Sequence, residues 1–151
     1  MVWISFAFNG KDVFLLGLPA LVAAIVSFII GWIWYGPLFG KTWMMLMNIN
    51  EKEINKSKKK GMGKMLLLNF IGTLITASVL AGVISAIGLS SESAGPFGAV
   101  LGFWLWLGFL ASTTLLGSVL WENKSWKLFA LNGAYWLVNL LVMGAIIGAW
   151  Q

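Results

Sequence analysis

The sequence predicts an all-α polytopic membrane protein whose four transmembrane helices form a compact bundle. Of its 151 residues, 60% are hydrophobic and only 10% are charged, whereas a soluble domain carries about a quarter charged residues. The apolar residues form four continuous blocks, each long enough to cross a bilayer core. The lysines lie almost entirely between these blocks. Residues 1–151 are therefore interpreted as a single membrane domain.

The four blocks are residues 13–35, 65–88, 97–120 and 128–150, and none of them contains a charged residue. The first block is broken only by Pro19, in its first turns. Residues 36–64 form one long loop. Within it, Asn50 and Glu53 have the spacing of a capping box, which predicts a short helix there.

Lysine placement predicts the orientation. Seven lysines lie between the first and second spans, two between the third and fourth, and one before the first. Because cytoplasmic loops are enriched in lysine, we expect the long loop to be cytoplasmic and both termini to face the other side. We also expect anionic lipid headgroups to contact this loop at Lys56, Lys58, Lys59 and Lys60, since each lysine near such a surface is worth about 1 kcal/mol.

The segment WYGPLFGKTW, which follows the first span, is a candidate functional motif. Its candidate residues are Trp34, Tyr35, Gly36, Pro37, Gly40, Lys41 and Trp43. One interpretation is a membrane-exit turn, with aromatic rings at headgroup depth, Gly36 in the left-handed conformation and Pro37 ending the helix. The other interpretation is a binding element. The residues alone favour the exit turn and leave the binding element open.

Uncharged polar residues form a second candidate site. Asn132, Tyr135 and Asn139 are three and four positions apart, so they share one face of the fourth span. Asn69 lies at a comparable depth in the second span. We expect a polar cluster inside the bundle, and hydrogen bonds between helices, typically about 0.6 kcal/mol each, are favoured over a ligand site.

Small residues recur at the spacing of helix contacts. Gly98 is paired with Gly102 and Gly144 with Gly148, and Ser78 with Gly82 forms a weaker pair. Small residues let helix backbones approach closely in a membrane. These pairs predict tight helix packing, within one chain or in a dimer.

Composition also argues against catalysis. The chain has no cysteine or histidine, and its spans contain no acidic residue, so we expect no metal, no cofactor and no enzyme activity. Its ten basic residues are all lysine. Nucleic-acid recognition relies on arginine's bidentate fork, so no nucleic-acid partner is expected.

The WYGPLFGKTWM segment, the lysine-rich loop and the late KLFALNGAYWLVNLLVMGAIIGAW segment resemble a group of small bacterial four-helix membrane proteins, domain of unknown function seventeen sixty-one. The late segment is matched at Lys127, Leu128, Asn132, Gly133, Tyr135 and Gly144, while the middle spans match only in hydropathy. The resemblance implies a multi-pass protein of the bacterial inner membrane. It implies no activity.

Three functions are compatible with these features. The favoured one is a small membrane protein that self-associates or serves as an accessory or structural subunit of a larger complex. The alternative is a dimeric transporter or channel for a small neutral solute or lipid, which would use the uncharged polar cluster. An intramembrane enzyme ranks last, because no acid–base pair can be assigned in the spans.

Overall fold

The computed structural model describes residues 10–49, 61–87 and 94–150, with side chains from residue 17 onward. Within these ranges it contains no strand, and four helices are long and apolar enough to cross a membrane. We call them spans 1 to 4: Gly17–Leu38, Met62–Ile87, Ala94–Leu120 and Trp126–Gly148. They confirm the predicted all-α, four-span compact bundle.

The helices are α1 Gly10–Ile33, α2 Gly40–Leu46, α3 Met62–Ile87, α4 Ala94–Leu105, α5 Leu116–Leu120 and α6 Trp126–Gly148. Two π-helical segments extend them: Trp34–Leu38 continues α1, and Trp106–Leu115 joins α4 to α5. Helix α2 lies in the region expected to be loop. The predicted helix at Asn50 lies outside the described residues.

The span limits differ from the predicted ones by a few residues. Span 3 is described from Ala94, and its helix includes Pro96, a residue whose missing N–H is tolerated near a helix start. Span 4 begins at Trp126, and the Ser125 hydroxyl caps it by accepting from the Leu128 N–H at 3.2 Å. A hydroxyl at this position satisfies one of the unpaired N–H groups at a helix start.

Span 4 is the centre of the bundle, because it packs against each of the other three spans. Its most extensive contact is with span 3, and span 1 also pairs with span 2. We call the end where spans 1 and 3 finish and spans 2 and 4 start the basic end. The lysines that the structure describes at this end are Lys41, Lys64, Lys124 and Lys127.

Spans 3 and 4 meet backbone to backbone along a line that we call the glycine seam. A side chain at Gly98 would meet the carbonyl of Gly144, and one at Gly102 would meet the carbonyl of Leu140. At the far end, Gly148 faces the carbonyl of Ala94. The two predicted glycine pairs, Gly98 with Gly102 and Gly144 with Gly148, therefore lie between two spans of the same chain. The predicted pair of Ser78 and Gly82 is instead exposed on span 2.

The core also uses small residues and lies away from the basic end. Fully buried alanines fill the contact between spans 1 and 2, with larger side chains behind them; the core includes Ala20, Ala23, Ala24, Ala77, Ala81, Leu80, Ile84, Met143 and Ile147. By contrast, span 2 is exposed at every position from Met62 to Asn69. The bundle is closed in its far half and more open at its basic end.

Candidate functional site: polar and aromatic residues at the basic end

The WYGP segment continues span 1 instead of ending it. Pro37 cannot donate a backbone hydrogen bond, but the turn widens and the Phe39 N–H donates to the Trp34 carbonyl at 2.9 Å. Gly36 does not adopt the left-handed conformation, which among described glycines occurs at Gly61. The predicted left-handed cap at Gly36 and helix stop at Pro37 were therefore wrong.

Gly36 and Gly40 are required for different reasons. A side chain on the residue before a proline disfavours helical backbone geometry, and Gly36 has none. At Gly40, a Cβ atom would lie 2.6 Å from the carbonyl oxygen of Tyr35. The chain can therefore fold back tightly into α2 only with glycine at position 40.

This fold-back brings the aromatic residues of the motif together. The rings of Trp34 and Phe39 lie 4.8 Å apart, and those of Tyr35 and Trp43 lie 5.6 Å apart in an edge-to-face arrangement. Lys41 is exposed on α2. The motif is a compact aromatic turn attached to the basic end of span 1.

Tyr35 connects the motif to span 4. Its hydroxyl donates to the Asn132 side-chain oxygen at 2.9 Å, and its ring packs edge-to-face on Tyr135 at 4.8 Å. Trp34 also lies near Tyr135, with ring centres 6.2 Å apart. The two candidate sites predicted separately from the sequence are therefore in contact.

A second polar contact lies deeper between spans 1 and 4. The Ser27 hydroxyl donates to the side-chain oxygen of Asn139, and the Asn139 amide donates to the Tyr135 carbonyl at 2.9 Å. Asn139 is completely buried and Ser27 nearly so. Each polar group of this amide is thus paired, as burial in an apolar medium requires.

Asn69 lies apart from these contacts. It is exposed, and its carbonyl accepts from Thr73 of its own helix at 2.9 Å. Its side chain lines a cleft of about 470 Å³ between spans 1, 2 and 4 at the basic end. The cleft is lined by Phe28, Gly31, Trp32, Tyr35, Gly36, Leu66, Asn69, Tyr135 and Trp136.

The structure thus brings Tyr35, Asn132, Tyr135 and Asn139 together and adds residues that the sequence reasoning missed. Ser27 is one of them. It is the one hydroxyl residue between Pro19 and Tyr35, and this isolation in an apolar span was a usable signal. Gly31 was also missed; a Cβ there would lie 2.9 Å from the Tyr135 hydroxyl.

The indole N–H groups of two tryptophans differ in whether they have a hydrogen-bond partner. Trp106, in the π-helical segment of span 3, donates its indole N–H to the Gly133 carbonyl of span 4 at 2.9 Å. The indole N–H of Trp34 is buried and finds no partner among the described residues. Membrane-facing Trp104, by contrast, is 61% exposed.

The chemistry available is therefore hydrogen bonding by uncharged groups beside aromatic faces. Within the described ranges, no group of three or more His, Cys, Asp or Glu residues could hold a metal ion. The lysines expected to contact anionic lipid, Lys56, Lys58, Lys59 and Lys60, lie outside these ranges.

Comparison with known proteins gives one assignment. No curated protein and no solved structure matches the chain. Residues 18–148 match the family described as protein of unknown function, DUF1761. Because this match covers most of the chain and its four apolar helices make it a multi-pass membrane protein, the protein is a membrane-spanning member of the DUF1761 family.

Proposed function

We propose that the protein is a small accessory membrane subunit that self-associates and acts by binding, not by catalysis. The observation that supports this proposal is that some small residues are packed within the chain and others are exposed on its outer face. Those of the glycine seam are occupied within the chain, while Gly72 and Gly82 of span 2 are exposed, with nothing within 4 Å of a side chain built there.

This outward face of span 2 supports a contact with a second copy. Ser78 is also exposed on span 2, and its hydroxyl is already paired with the Leu74 carbonyl at 2.8 Å, so it can approach another helix without an unpaired donor. Small residues on an outer face permit close approach of a partner helix, which is a main source of association between spans in lipid.

The test is a mass measurement in mild detergent, repeated by cross-linking in native membranes. We expect a dimer for the native chain and a shift towards monomer for Gly82→Leu, which places a large side chain at the contact. Gly108→Leu is the matched control, since Gly108 is equally open but lies on span 3. A native chain that is monomeric and without partners in both settings would overturn the proposal.

A second candidate is movement of a neutral solute or lipid, and the cleft at the basic end favours it. Flux into liposomes would test it with Asn69→Leu and Asn132→Leu, which remove amides at and beside the cleft. Asn139→Leu is less informative, because Asn139 is fully buried against Ser27. Flux unchanged by both substitutions would exclude these amides from the pathway.

We also propose that the basic loop recruits anionic lipid and that the chain lies in the bacterial inner membrane with this loop in the cytoplasm. Replacing Lys58, Lys59 and Lys60 by glutamine should reduce the anionic phospholipid that copurifies with the chain. An unchanged lipid content would argue against lipid recruitment by these lysines.

A further inference from the structure

We propose that the cleft at the basic end binds a neutral amphiphile whose flat, ring-shaped head accepts hydrogen bonds, the chemistry of a quinone. This inference goes beyond self-association and does not depend on it. It rests on the shape of the cleft, on the residues that line it and on its depth in the bundle.

The first observation is the aromatic lining. Five of the nine lining residues are aromatic: Phe28, Trp32, Tyr35, Tyr135 and Trp136. Aromatic rings stack offset or edge-to-face on other rings and gain energy beyond area burial. A straight acyl chain would bind no better to an aromatic lining than to a lining of leucine or isoleucine. The aromatic lining therefore favours a ligand with a planar head.

The second observation is that the polar groups at the cleft are uncharged and include hydrogen-bond donors. Asn69 uses its backbone carbonyl, not its side chain, in its hydrogen bond with Thr73, and no hydrogen bond joins its side-chain amide to another of the described residues. Tyr135 also lines the cleft, with its hydroxyl next to the lining residue Gly31, and Trp32, a further lining residue, is 71% exposed. Neutral donors in a mostly apolar site match a neutral acceptor such as a carbonyl.

The third observation is the size and depth of the cleft. About 470 Å³ is within the range of small-molecule sites. The lining reaches from Leu66, near the start of span 2, to Phe28, whose ring meets Phe70 edge-to-face at 5.7 Å. Because this depth extends into the apolar spans, the ligand needs an apolar tail as well as a polar head.

Gly31 makes room for the head. A methyl group at this position would lie 2.9 Å from the Tyr135 hydroxyl and would force that side chain to move. Because Gly31 has no side chain, the cleft has room on the span 1 side and the Tyr135 hydroxyl can occupy its observed position. Gly31→Ala alters the site by one methyl group on the span 1 wall.

The test uses the purified full chain in a non-ionic detergent and a decyl-substituted benzoquinone as probe. Native mass spectrometry counts the bound probe, and a titration gives Kd. We expect one probe per chain. Asn69→Leu, Tyr135→Phe and Gly31→Ala should each weaken binding about three- to tenfold, the range of one lost hydrogen bond.

Ser112→Ala is the control, because this residue is exposed on span 3, its hydroxyl donates to the Gly108 carbonyl of its own helix, and it does not line the cleft. The Kd of this variant should equal that of the native chain. Decylbenzene, which has the ring and tail but no carbonyl, should bind at least tenfold more weakly. The proposal is overturned if decylbenzene binds as tightly as the quinone, or if the cleft variants, with unchanged thermal unfolding, bind the quinone like the native chain. Because Asn69 is exposed, Asn69→Leu should leave the fold intact, so weaker binding by this variant would reflect the loss of the amide.

Discussion

Ser27 and Asn139 form the most buried polar contact of the described residues, and it lies between spans 1 and 4. Neither residue can reach water, so the Asn139 side-chain oxygen depends on the Ser27 hydroxyl for its hydrogen bond. This dependence makes the pair a local test of how span 1 is held against span 4.

Ser27→Ala should lower the free energy of unfolding by about 1 kcal/mol, because it leaves the Asn139 oxygen buried without a donor. Chemical unfolding in mixed micelles, followed by tryptophan fluorescence, would measure this loss. Ser112→Ala is the matched control, since its exposed hydroxyl donates to the Gly108 carbonyl of its own helix at 2.7 Å. Equal stability of the two variants would contradict the assigned role of Ser27.

At the scale of the helices, the continuous apolar runs predicted the four spans well, because hydropathy is a local property of the chain. The course of the WYGP segment could not be predicted in this way. Pro37 is normally a helix stop, and the π-helical turn that carries the chain past it depends on the fold-back at Gly40. The Tyr35–Asn132 hydrogen bond likewise joins residues that are 97 positions apart.

The glycine seam makes a prediction for the pairing of spans 3 and 4. Gly144→Ala should destabilise the bundle by about 1–3 kcal/mol or more, because the added methyl group meets the Gly98 backbone, which cannot move aside like a side chain. The same unfolding experiment measures the effect. Gly117→Ala is the control, since nothing lies within 4 Å of its added methyl group. A Gly144→Ala variant as stable as the control would show that the two helices are not in backbone contact.

For the whole molecule, the lysine distribution predicts the orientation, and the lack of cysteine makes this easy to measure. Lys124→Cys lies in the turn at the basic end and Trp150→Cys beyond span 4 at the other end. In intact cells, a membrane-impermeant maleimide should label the Trp150→Cys variant and leave the Lys124→Cys variant unlabelled until the membrane is opened. The reverse pattern would overturn the predicted topology.

Only part of the candidate site could be predicted from the sequence. The face of span 4 with Asn132, Tyr135 and Asn139 followed from helical spacing alone. Its partners, Ser27 and Tyr35 on span 1, depend on which spans are neighbours, and hydropathy does not encode that. The cleft depends further on how far spans 1 and 2 separate at the basic end, which is set by side-chain packing of the whole bundle.

The glycine seam also limits how this chain can evolve. Every substitution of glycine adds volume, so Gly98, Gly102, Gly144 and Gly148 have no neutral replacement while the two backbones remain in contact. A mutational scan read out by protein abundance should therefore show a line of intolerance along spans 3 and 4, interrupted at Gly108 and Gly117, where open space admits a side chain. Drift in this protein would be concentrated on its other faces, and the seam would be its slowest-changing part.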